Sequence, residues 1–102
     1  MISHIHHIAV ICSDYERSLD FYTRILGLTV VQQVYRYARQ SWKADLALNG
    51  QYVIELFSFP NPPARVSRPE AAGLRHLAFA VPRLEPVISH LDKHGVASEP
   101  IR

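Results

Sequence analysis

A chain of 102 residues with 48% apolar and 20% charged content has material for one small globular core and too little charge to stay disordered. Its formal net charge is +2, with basic residues scattered from Arg17 to Arg102; this excludes the clustered cationic face that nucleic acid requires. One cysteine, Cys12, rules out an internal disulfide or a thiolate zinc cluster, and no apolar run nears the roughly 20 residues of a membrane span, so the expectation is a cytoplasmic protein with no membrane partner.

Residues 5–12 form a short apolar run rich in β-branched side chains, the pattern of a strand covered on both faces. Histidines interrupt its start and no cleavage site follows, which speaks against a signal peptide. Ser13 followed by Glu16 reads as a capping box, and Tyr15, Leu19, Tyr22 and Leu26 recur at helical spacing until Gly27 ends the helix. Strand character returns over 28–35, then over 44–48 and 52–57, which flank the hairpin signal Asn49-Gly50. The first half therefore reads βαβββ.

Residues 59–73 carry Pro60, Pro62, Pro63 and Pro69 among polar residues and read as a linker. Residues 74–81 form another apolar strand pattern, and Leu84, Val87, Ile88 and Leu91 follow at helical spacing up to Gly95, with Pro86 tolerated in the first turn. His76-Leu77-Ala78-Phe79 aligns with His7-Ile8-Ala9-Val10, and Gly95 aligns with Gly27 after a one-residue deletion. The chain thus holds an internal repeat within a single domain, 1–102: a first βαβββ module at 1–58, a linker at 59–73 and an incomplete second module at 74–102. The expected class is α+β, with tandem modules forming a cupped mixed sheet and the helices outside.

Side chains alternate along a strand, so His7 shares a face with Ile5, Ala9 and Ile11, and the repeat gives His76 the equivalent position. Glu55 lies within the apolar run 52–57, where an unpaired carboxylate is costly without a cation, a partner or a proton. If a pseudo-twofold axis brings the two first strands together, His7, Glu55 and His76 converge as ligands of a divalent metal, for which nickel, zinc, cobalt, manganese and iron are all suited. Each of these residues alone is more often structural; their coincidence in a repeat favours the metal. His4 and His6 are expected on the opposite face, toward solvent, and His90 and His94 on a solvated helix face. Tyr35, Arg36, Arg39, Trp42 and Lys43 cluster between the second and third strands, where the last four are candidates to meet an anionic small-molecule substrate; a solvated hairpin is the competing expectation.

The segments HHIAVICSDYERSLDFYTRILGL, NGQYVIELF and LRHLAFAV resemble successive signatures of the vicinal oxygen chelate superfamily, which spans glyoxalases, bleomycin-resistance proteins and dioxygenases. The likeness covers nearly the whole chain and is nearest to a glyoxalase-like bacterial subfamily. It implies two βαβββ modules cupped around a metal, each giving a histidine from its first strand and a glutamate from its last. His7, Glu55 and His76 match three of these ligands, and the fourth is expected beyond Arg102. The implied activity is that of a metal-dependent lyase or isomerase acting on a small oxygenated metabolite through enolate chemistry, with Glu55 or the fourth ligand as catalytic base. Ile11 and Phe59 stand where glutathione-dependent glyoxalase I has an arginine and an asparagine, which speaks against a glutathione pocket. A ring-cleaving dioxygenase takes its carboxylate from the second module, at odds with Glu55, and a drug-sequestering protein generally lacks the triad. Unpaired strand edges in the second module lead to the expectation of a homodimer.

Overall fold

Backbone pairing along 8–58 follows the alternation of apolar side chains, and four strands result: β1 (Ile8–Cys12), β2 (Thr29–Arg36), β3 (Ser41–Leu48) and β4 (Gln51–Ser58). In this computed structural model, which describes residues 1–101, they form one mixed sheet in the order β1-β4-β3-β2. β1 runs parallel to β4, and the other two pairings are antiparallel. The fold is α+β, as the sequence predicts.

The parallel β1–β4 pair needs a crossover, supplied by α1 (Tyr15–Asp20) and a π-helical turn over Phe21–Ile25. The N-cap is Asp14, one residue after the expected Ser13: its extended backbone lets Oδ1 accept from the Arg17 amide at 3.2 Å. A carboxylate there also complements the positive helix end, which a serine does not. The turn closes with the Leu28 amide on the Tyr22 carbonyl at 2.9 Å around Gly27, whose φ is +85°.

Between sheet and helix lies a core of Leu28, Ala44, Leu46, Ile54 and Leu56, with Val10, Tyr15, Leu19 and Tyr22 packed against it. Leu46, Ile54 and Leu56 are fully buried, and each contributes about 1.5–3 kcal/mol of transfer free energy. Cys12 belongs to this face: its thiol donates to the Phe57 carbonyl at 3.2 Å, and burial pushes its pKa up. The thiol is a packing group.

The β3–β4 hairpin turns at Asn49 and Gly50, both at positive φ (51° and 78°), the geometry that Asn-Gly favours. Just beyond, the register slips: Leu46 pairs with Ile54, but Ala47 pairs with Tyr52, leaving Val53 as an extra residue on β4. This β-bulge breaks the alternation of faces, so Tyr52 and Glu55 share a face although three residues apart.

The chain divides into two compact units, Met1–Ala64 and the residues from Arg65 onward. The second contains α2 (Leu84–Lys93), whose Val87, Ile88 and Leu91 are half-buried. It ends as the first helix does, with the Val96 amide on the Leu91 carbonyl at 2.9 Å around Gly95 at φ +71°. The strand expected at 74–81 is not formed. A strand persists where its amides and carbonyls find a neighbouring ladder; β1 has β4, whereas no strand beyond Ser58 occurs among the described residues. Among the described residues, no helix is long and apolar enough to cross a membrane.

Candidate functional site

The face of the sheet turned away from α1 gathers the polar side chains. Parallel pairing sets Ala9 beside Glu55 and Ile11 beside Phe57, so the β1 neighbours of the Glu55 carboxylate on this face are apolar. His7, immediately before β1, brings Nε2 to 3.8 Å from Glu55 Oε1. On the other side Asp45 lies directly across from Glu55. Two facing carboxylates repel, and Lys43 on the same face offsets this, with Nζ at 2.7 Å from Asp45 Oδ1 and 3.4 Å from Glu55 Oε2. The bond to Asp45 is the main reason that the Lys43 pKa is raised, against the opposing effect of burial.

Tyr52, swung onto this face by the bulge, ties the group together. Its ring stacks on His7 (centroids 4.9 Å apart, 16° between planes), and its hydroxyl donates to Asp45 Oδ1 at 3.3 Å. Burial, then the nearby charges of Asp45 and Glu55, push its pKa up to about 12. His6 is also part of the cluster: its Nδ1 is 2.8 Å from His7 Nδ1, and its ring meets Tyr52 edge-on at 5.3 Å. The expected placement of His6 opposite His7 is therefore corrected. Residues 1–7 precede the first strand, so alternation does not govern them.

Arg36 and Arg39 line the same region through aromatic contacts, Arg36 over Phe57 at 4.9 Å and Arg39 over Phe59 at 5.2 Å. Arg36 also bonds the buried Ser41 hydroxyl at 3.1 Å, and its Nε is buried without a hydrogen-bond partner. Trp42 parts from this set. It stacks on Tyr15 of α1 with centroids 5.7 Å apart, on the helix side of the sheet. The cause is strand alternation: β3 begins at Ser41, so Trp42 faces away from Lys43. His90 and His94 pack against each other on α2, where His94 Nδ1 donates to the His90 carbonyl at 2.8 Å. His76 is an exposed residue of the second unit.

The His7–Glu55 pair suits a divalent cation. Two donors with metal bonds of about 2.0–2.2 Å lie roughly 3–3.5 Å apart at tetrahedral or octahedral angles, close to the 3.8 Å found. His7 Nδ1 is engaged by His6 Nδ1 at 2.8 Å, which leaves Nε2 as the ring nitrogen turned toward Glu55. Among the described residues, no group of three His, Cys, Asp or Glu side chains is gathered for one ion. Asp45 and Tyr52 do not stand out in the sequence because the apolar pattern of the third strand starts only at Ala44 and a bulge leaves no local mark; the signal present is the polar alternation Ser41, Lys43, Asp45.

The profile of the Glyoxalase/Bleomycin resistance protein/Dioxygenase superfamily matches residues 4–102, and the chain belongs to that superfamily. It is 60% identical over 101 residues to the uncharacterized protein YaeR of Escherichia coli (strain K12), covering 99% of this chain and 78% of that protein. Among solved structures, the glyoxalase family protein of Enterococcus faecalis superposes with a TM-score of 0.89 at 42% identity, covering 97% of this chain and 78% of that one. At 19% identity, the fold alone is shared with the fosfomycin resistance protein FosX of Listeria monocytogenes, solved with Mn(II) and 1S,2S-dihydroxypropylphosphonic acid (TM-score 0.77, covering 100% of this chain and 77% of that one).

Proposed function

We propose that the chain is a divalent-metal-dependent, glyoxalase-like lyase or isomerase acting on a small oxygenated metabolite, with His7, Glu55 and His76 as its protein ligands. The observation that carries this is the pairing of His7 Nε2 and Glu55 Oε1 at 3.8 Å on the polar face of the sheet. His76 is the third donor because it occupies the position of His7 in the repeat. The Mn(II) in the FosX structure supports a cation in this fold.

A bound metal supplies Lewis acidity toward two neighbouring substrate oxygens. The residues of the chain do the rest. Glu55 takes the proton from the carbon next to the substrate carbonyl, and Lys43, 3.4 Å from its other oxygen, orients the carboxylate. Tyr52 fixes the plane of His7. Arg36 and Arg39, held over Phe57 and Phe59, present cationic groups to polar oxygens of the substrate at the rim. The outer strand β2 exposes Val30, Val31 and Val34, which supports homodimer formation.

The test is elemental analysis of the purified parent and of His7→Ala, Glu55→Ala and His76→Ala, followed by assay of metal-dependent turnover on hemithioacetals. Near-stoichiometric metal in the parent and at least about a tenfold loss of affinity in each variant are expected, since losing a ligand costs more than losing its outer support. Unchanged occupancy in all three variants would refute the assignment.

A further inference from the structure

Within the second unit, the segment from Arg65 to His76 folds back on itself, with Arg65 Nη2 donating to the Leu74 carbonyl. It borders an open-sided cavity of about 400 Å³ whose lining includes Arg65, Ser67, Arg68, Glu70, Arg75 and His76. Three guanidinium groups against one carboxylate give this small lining a formal charge of +2 (3 − 1), equal to that of the whole chain. Among the described residues, no carboxylate lies within ion-pair distance of Arg65, Arg68 or Arg75. Concentrated positive charge without an internal partner, around a space large enough for a small molecule, is an arrangement that attracts an anion.

We propose that this loop is an oxyanion-binding site, in which Arg68 and Arg75 grip the carboxylate, phosphate or phosphonate group of a small substrate while Arg65 holds the loop closed. A guanidinium fork suits all three groups because each presents two coplanar acceptor oxygens. His76 lines the same cavity, so the bound anionic group lies next to a proposed metal ligand. The substrate class thereby narrows to small oxygenated acids, a step that rests on the metal reading through His76 alone.

Isothermal titration of the full chain, freed of metal with EDTA, against inorganic phosphate, methylphosphonate and glycolate tests the site. At low salt at least one of the three binds in the millimolar range or tighter. Arg68→Gln and Arg75→Gln each weaken that binding about tenfold, in line with loss of one charge-assisted contact, and lysine at either position restores part of it. Both positions are exposed, so the fold survives the change, and metal content stays at the parental level. Selective binding of phosphate and methylphosphonate assigns a phosphoryl headgroup; selective binding of glycolate assigns a carboxylate. A parent that binds none of the three, or glutamine variants that bind as the parent does, overturns the site. His76→Ala separates the two proposals: retained anion binding with unchanged metal content removes His76 from the metal site and leaves the anion site standing.

Discussion

Replacing Lys43 with methionine removes the one positive charge that separates Asp45 from Glu55 while keeping most of the aliphatic stem. The bond to Asp45 at 2.7 Å joins side chains 23% and 16% exposed, and as a part-buried charge-assisted contact it is worth about 1–1.5 kcal/mol after solvent screening. The longer contact to Glu55 at 3.4 Å adds less, and the directly opposed carboxylates then repel by about 0.2–1 kcal/mol. Together these put the loss near 2 kcal/mol, or about 1–2 M in urea midpoint, measured by circular dichroism in EDTA. The same substitution tightens binding of a divalent cation. A unit charge removed from about 6 Å at an effective dielectric constant of about 20–40 is worth about 1.4–2.8 kcal/mol, tenfold or more in affinity. A midpoint unmoved in EDTA, or weaker zinc binding by the variant in competition with a chromophoric chelator, would show that Lys43 does not bridge the two carboxylates.

Two further outcomes follow from the same sheet. Because the Tyr52 pKa is raised to about 12, the folded chain holds a proton there that the unfolded chain releases near pH 10; this contribution to stability is whole below pH 10 and declines between pH 10 and about 12. Ultraviolet titration should find one tyrosine ionising near pH 12 that disappears in Tyr52→Phe, and a titration curve identical in parent and variant above pH 11 would disprove the placement. Leu46→Ala, at a position with 0% exposure, should cost about 2–5 kcal/mol by leaving a cavity between sheet and helix; a loss under 1 kcal/mol in chemical denaturation would mean that the core lies elsewhere.

The βαβββ order of the first unit was readable because each element carried a local signal: β-branched alternation for the strands, Asn49-Gly50 for the hairpin and Gly27 for the helix end. Glu55 announced itself as a carboxylate in an apolar run, and β1–β4 pairing brings it to His7. What stayed hidden depends on pairing rather than on local sequence. The slip at Val53 that carries Tyr52 onto the polar face is a property of two strands in register, and only once β3 is extended to Ser41 do Lys43 and Asp45 align and Trp42 turn away. The apolar run 74–81 shows the converse, since strand propensity alone does not supply a neighbouring ladder.

X-ray absorption at the zinc edge of the metal-loaded chain tests most directly whether two imidazoles and a carboxylate share one ion. The account predicts two imidazole nitrogens at about 2.0–2.1 Å, falling to one in His7→Ala and to one in His76→Ala. An imidazole count that is the same in the parent and both variants would contradict it.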